Sequence, residues 1–198
     1  MTDFDVLDRA HTALHRTVRA LRSPDLARPT PCTAWDVAQV LQHAAGDQRA
    51  YSLFITGRDG PTGDPFAPDG ALTGAPLELL EPALAAAARA FAGVDPRGTA
   101  PTPLPQGTLP AHLAAGAAAL DAAIHAWDIA VATDQPSPLD DELAAALLPV
   151  AHELVEPLRQ WGAYAPALDP VDVDDAAAEL LRFLGRDPEW SPLARAAG

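Results

Sequence analysis

Alanine- and leucine-rich blocks, with apolar residues recurring three and four apart and proline- and glycine-rich joints between them, restrict this chain to a helical fold. No run of alternating apolar and polar residues marks a sheet. A first helix is predicted over residues 3–22, with Phe4, Leu7, Leu14, Val18 and Leu21 inward and Ser23-Pro24 ending it. A second begins at Thr33, with Asp36 as its capping-box partner, and ends near Gly57. Residues 58–76 hold many Gly, Pro and Asp, so a long exposed loop is expected there, of the kind that forms a lid or pocket wall. A third helix is predicted over 77–92, then an irregular connection, then a fourth helix over 110–132. Ser137 and Pro138 open a fifth helix that Pro149 can kink, and a short last helix near 174–184 stops at Gly185.

The chain has 198 residues and 48% hydrophobic content, enough to bury one substantial core, so a single helical-bundle domain over 1–198 is expected. A formal net charge of −14 leaves no basic stripe to neutralise phosphates, which argues against nucleic acid and anionic membrane as partners. The first residues lack a positively charged start followed by an apolar run. No stretch is read as approaching the roughly 18 apolar residues a membrane span needs, so a cytoplasmic protein is expected. Cys32 is the single cysteine, which excludes internal disulfides, Cys-x-x-Cys redox chemistry and thiolate-rich zinc sites. All 13 basic residues are arginine, so Schiff-base and P-loop lysines are excluded as well. Oligomeric state leaves no mark in the sequence.

The chemistry-bearing residues gather on two helices. Asp121 and His125 are four apart and project from one face of the fourth helix, close enough to ligate one ion. His43, midway along the second helix beside Val40, Leu41 and Ala44, faces the bundle interior and is the natural third donor. Imidazole and carboxylate ligands suit zinc first, with nickel, iron or manganese as alternatives. The same Asp-x-x-x-His spacing is more often a solvated pair or a helix-stabilising contact. Asp128 and Asp47 lie three and four residues beyond His125 and His43 and can orient the imidazoles, though capping or exposure is the commoner role for each. Trp127 and Trp35 read as packing residues, Cys32 as a small buried hydrophobe, and His11, His15, His112 and His152 as surface or satisfied core positions. Hydrolase and nucleotide-binding signatures are missing.

Taken in order, TPCTAWDVAQVLQHAAG at 30–46, DAAIHAWDIAVATD at 121–134 and FLGRDPEW at 183–190 resemble the mycothiol-dependent maleylpyruvate isomerase-like branch of the DinB superfamily. The resemblance implies an all-α, DinB-like four-helix bundle with additional short C-terminal helices. It implies a divalent metal on His43, Asp121 and His125, with aspartate where the isomerase-type site has glutamate. Abundant Ala, Pro and Arg without lysine also fits the coding bias of an actinobacterial genome. The expected activity is that of a metal-dependent thiol transferase or isomerase using a low-molecular-weight, mycothiol-like thiol on a small electrophilic substrate. The larger C-terminal domain of the characterised isomerases is not matched, so their substrate is not implied. Alternatives are a non-catalytic metal- or small-molecule-binding bundle and a metal-dependent hydrolase.

Overall fold

The computed structural model describes residues 4–160 and 162–192. Among these, six α-helices form: α1 (Asp5–Arg19), α2 (Val37–Thr56), α3 (Pro76–Ala92), α4 (Ala111–Ala132), α5 (Asp141–Arg159) and α6 (Ala176–Phe183). Helix α1 packs on α3 and α4, and α2 packs on the same two, so the four close into a ring that is the bundle. Helix α5 lies against the outer side of α4 and carries α6. The chain is therefore an all-α, DinB-like bundle with added C-terminal helices.

The inward stripe of α1 is the one its spacing predicts, with Phe4, Leu7, Leu14 and Val18 buried, while Leu21 is half-buried beyond the helix end. Asp3 lies outside the described residues. The helix stops at Arg19 rather than residue 22, because Ser23–Ala27 forms a separate 3₁₀ turn with Pro24 in its first turn. Leu7, Leu14, Leu41, Leu80 and Leu147 are nearly inaccessible to solvent. Truncating any of them to alanine should cost about 2–5 kcal/mol, the lost transfer energy plus the cavity left behind.

Two helix starts differ from expectation. Helix α2 is capped by Asp36, whose side chain accepts from the Gln39 amide while the Gln39 side chain reaches back to the Asp36 amide. Thr33 is exposed and takes no part, since residues 29 and 36 form an antiparallel bridge that keeps the preceding chain extended. Helix α5 starts after Asp140, which accepts from the Leu143 amide, whereas Ser137 closes a local turn on Leu139. The connection before α4 is also more ordered than its composition suggests. Strands β1 (Thr99–Pro101) and β2 (Thr108–Pro110) pair antiparallel, with Ala100 opposite Leu109 and both buried. Three-residue strands ending in proline are too short to show any periodicity.

Helix α4 corrects one further expectation. Its 22 residues are long and apolar enough, by length and composition, to cross a membrane. In the fold 89% of that window is buried, so α4 is the central helix of the bundle, sheathed by protein on nearly every side. Its run of alanines lets α1, α2 and α5 approach it closely, and of its polar residues Asp121, His125 and Asp128 are held in the interior while His112 is exposed.

Candidate metal centre

Asp121, His125 and Asp128 fall at i, i+4 and i+7 along α4 and so share one face, toward which α2 presents His43, Asp47 and Gln48. Ligand atoms of His43, Asp121 and His125 all lie within 4.8 Å of one another. His125 Nε2 is 3.4 Å and His43 Nε2 3.7 Å from the same Asp121 oxygen, Oδ1. Two donors bound tetrahedrally to one ion at about 2.1 Å stand about 3.4 Å apart, so these separations are compatible with one shared ion.

Each imidazole is fixed through its other nitrogen. The Nδ1–H of His43 donates to the Pro65 carbonyl at 2.9 Å, and the Nδ1–H of His125 donates to Asp128 Oδ2 at 3.0 Å. With both Nδ1 atoms engaged, both Nε2 atoms point at Asp121, so an Nε2 that gives up its proton in this arrangement would present its lone pair to a cation. Asp121 is itself held, because Gln48 Nε2 reaches its other oxygen at 3.3 Å and the Ala118 carbonyl at 3.0 Å. Gln48 Oε1 accepts from His11 Nε2 at 2.8 Å, which makes His11 a satisfied core residue.

The contact with Pro65 depends on a glycine. A Cβ at Gly46 would come within 3.0 Å of the Pro65 ring, so α2 carries no side chain where the 58–75 loop crosses it. The loop is further tied down by Gln39 donating to the Pro68 carbonyl and by Gln42 bridging Asp69, Gly70 and Ala71. Behind it, against α2, lies a cavity of about 390 Å³ lined by Gln42, Gly46, Arg49 and loop residues. Trp35 precedes α2 instead of starting it, and its ring lies 4.7 Å from that of His43, with the exposed Phe66 ring at 5.7 Å on the same imidazole.

Asp128 is neither a cap nor exposed. It is fully buried and receives Arg186 Nε on Oδ1 and Arg186 Nη2 on Oδ2, each at 2.9 Å, besides the His125 imidazole and the Cys32 thiol at 3.2 Å. Cys32 is half-buried against the hydrophobic core, with its thiol turned toward the Asp128–Arg186 pair. Arg186 lies in the FLGRDPEW stretch that resembles the family, but neither it nor Gln48 sits at a spacing that assigns it a role at the ligands. Asp47 Oδ2 lies 3.7 Å from His43 Nε2, too loosely placed to orient that ring. Of the remaining histidines, His112 is exposed, His15 pairs with Glu81 at the surface and His152 lies edge-on to Phe183.

The electrostatics divide the donors. Burial, reinforced by His125, brings His43 down to about 4, so it is neutral at pH 7. Burial disfavours the His125 imidazolium, but Asp121 and then Asp128 outweigh it and hold the group well above the usual histidine range. Burial by itself would raise the Asp121 carboxyl; the two imidazoles reverse that and keep it below its ordinary value. Asp47, desolvated and facing the Asp121 charge, is pushed well up. Two largely buried imidazoles and an ionised carboxylate around one point form a donor set that suits a divalent cation, which would displace the His125 Nε2 proton on binding.

Comparisons with known proteins agree with this architecture. Two uncharacterized proteins of Mycobacterium tuberculosis, from strains CDC 1551 / Oshkosh and ATCC 25618 / H37Rv, are each 33% identical over 181 residues, covering 90% of this chain and 94% of their own. No solved structure gives a significant match. The model of the mycothiol maleylpyruvate isomerase N-terminal domain matches residues 7–130, the span that includes nearly all of the bundle and all three candidate donors, and the chain belongs to that family.

Proposed function

We propose that this protein is a metal-dependent thiol S-transferase or isomerase that acts on a small electrophilic substrate with a low-molecular-weight thiol of the mycothiol kind. The observation that carries the reading is the convergence of His43 Nε2, His125 Nε2 and Asp121 within 4.8 Å, with both Nδ1 atoms already bonded elsewhere. The family name supplies the thiol.

His43, Asp121 and His125 would hold the cation, zinc first by ligand type, and the cation when bound would lower the pKa of a thiol placed against it. Asp121 contributes negative charge that offsets the ion's, and Gln48 keeps the carboxylate from turning away. Trp35 and Phe66 flank His43 and give the entrance an apolar rim against which a small carbon skeleton can rest. For isomerisation the thiolate adds to a polarised carbon–carbon double bond, the resulting single bond rotates and the same thiolate is expelled. For transfer the thiolate displaces a leaving group and stays bound to carbon. Thiol chemistry of this kind fits a reducing cytoplasm.

The test uses protein purified without a metal-affinity tag. Metal per chain and thiol binding are measured for wild type and for His43→Ala, Asp121→Ala and His125→Ala. The expected result is near-stoichiometric metal in wild type, loss in each variant, and thiol affinity that disappears when a chelator strips the ion. Wild-type protein that takes up no zinc, nickel, iron or manganese overturns the proposal, as does loss of turnover in His125→Ala with metal still fully bound.

A further inference from the structure

Arg186 belongs to a segment far from the bundle in sequence and outside the matched family span of residues 7–130. Its guanidinium nevertheless reaches Asp128, whose carboxylate is fully buried, by two parallel bonds of 2.9 Å. The Arg186 side chain retains 12% of its exposure. One carboxylate thereby accepts the Arg186 fork, the His125 Nδ1–H and the Cys32 thiol.

The turn that delivers Arg186 is sterically specified. Gly185 adopts φ +75°, and a Cβ there would sit 2.6 Å from the Pro166 carbonyl oxygen. The segment is docked by further contacts, since Arg159 donates to the carbonyls of Ala165 and Phe183. A carboxylate buried this deeply stays ionised only with a cation beside it, and only a fixed carboxylate can hold an imidazole in one orientation. Lysine could supply the charge but not the planar fork that stops the Asp128 carboxylate from rotating.

From this geometry we infer that Arg186 is a positioning residue for the metal centre: by clamping Asp128 from the C-terminal segment it fixes His125 with Nε2 toward Asp121, so the site is completed by residues beyond the matched family domain. The inference rests on the proposed metal site for its affinity readout, while its orientation readout is made on metal-free protein. Cys32 shares the clamp but does not set it, because its thiol offers Asp128 a single weak bond and can turn away without exposing a charge.

The experiment compares wild type, Arg186→Gln, Arg186→Lys and Arg159→Gln. Zinc affinity is measured by chelator competition, and the His43 and His125 Nδ1–H resonances are followed by NMR in metal-free protein. Wild type should show both protons protected from exchange with water, His43 through Pro65 and His125 through Asp128. In Arg186→Gln the His125 proton should lose protection while that of His43 keeps it, and zinc affinity should fall about 10-fold, the lower end of the effect of removing the direct partner of a metal-bound histidine, since Arg186 acts through Asp128. Arg186→Lys should restore part of both effects. Arg159→Gln, which loosens the same segment without touching Asp128, should leave zinc affinity within about twofold of wild type.

A folded Arg186→Gln with wild-type zinc affinity and a protected His125 proton overturns the inference, as does an equal loss in Arg159→Gln. If Arg186→Gln does not fold, Arg186→Lys decides: unchanged affinity and protection there refute the clamp. If wild type binds none of zinc, nickel, iron or manganese, the proposed function fails, and the proton-protection comparison still decides the role of Arg186.

Discussion

The two histidines of the centre face the same carboxylate but are held by opposite means. His43 is oriented by a neutral acceptor, the Pro65 carbonyl, from a loop that follows its own helix by 22 residues. His125 is oriented by an ionised carboxylate that depends on Arg186, 58 residues further along the chain from Asp128. One half is fixed by local packing at little electrostatic cost, while the other is fixed by a buried charge network whose parts cannot be removed singly. The same function, pointing Nε2 at Asp121, is thus secured once by shape and once by charge, and the two halves should fail differently.

Asp128→Asn should be the most damaging change. It keeps the volume but leaves the Arg186 guanidinium buried without an anion, and breaking a buried pair in this way costs about 3–5 kcal/mol. Urea denaturation would show it as a lowered midpoint with an unchanged slope. A loss under about 1 kcal/mol would mean that solvent reaches the pair and that the two halves are more alike than the geometry implies.

Gly46→Ala probes the other half. The added methyl meets Pro65 at 3.0 Å, so the loop must give by a few tenths of an ångström and the Pro65–His43 bond must lengthen. Zinc affinity should drop several-fold while stability changes by less than about 1 kcal/mol, since a solvent-facing loop absorbs the shift. Stability loss as large as that of Asp128→Asn would erase the distinction between shape and charge.

Asp25 gives the smallest effect and a reference outside the centre. It accepts the Arg22 amide and pairs with Arg22 and Arg28, and that amide bond is the main reason its carboxyl lies below the ordinary range. A depressed native value stabilises above the unfolded value of about 3.8 and is lost as pH falls through the native one. The stability gap between wild type and Asp25→Asn should therefore be constant at neutral pH, narrow below pH about 4 and close in stronger acid. A gap unchanged down to the lowest pH would mean that the carboxylate charge contributes nothing.

Much of the fold could be read from local pattern because helices answer to local rules. The spacing of Leu7, Leu14 and Val18 marks the inner stripe of α1, and Gly57 and Gly185 mark helix stops with left-handed backbone. Helix caps are less legible. Thr33 and Ser137 have the right chemistry for caps, but Asp36 and Asp140 have it too, and only the bridge at residues 29 and 36 and the turn at Leu139 decide between them. The hairpin before α4 left no periodic trace. In the candidate centre, the relation of Asp121 to His125 is written in a four-residue spacing along one helix, whereas Arg186 and Gln48 could not be found by spacing.

By itself, then, the sequence determined an all-helical chain, the helix faces, and which imidazoles and carboxylates were chemically able to share an ion, because 3.6-residue periodicity and ligand chemistry are local properties. The tertiary structure decided that α2 brings His43 to Asp121 and that Pro65 and Asp128 turn the two rings. It also decided that Arg186 returns from the C-terminal segment to keep Asp128 ionised in a dry interior. Those are contacts between distant parts of the chain, where the cost of burying a charge is met only by whichever cation the fold delivers.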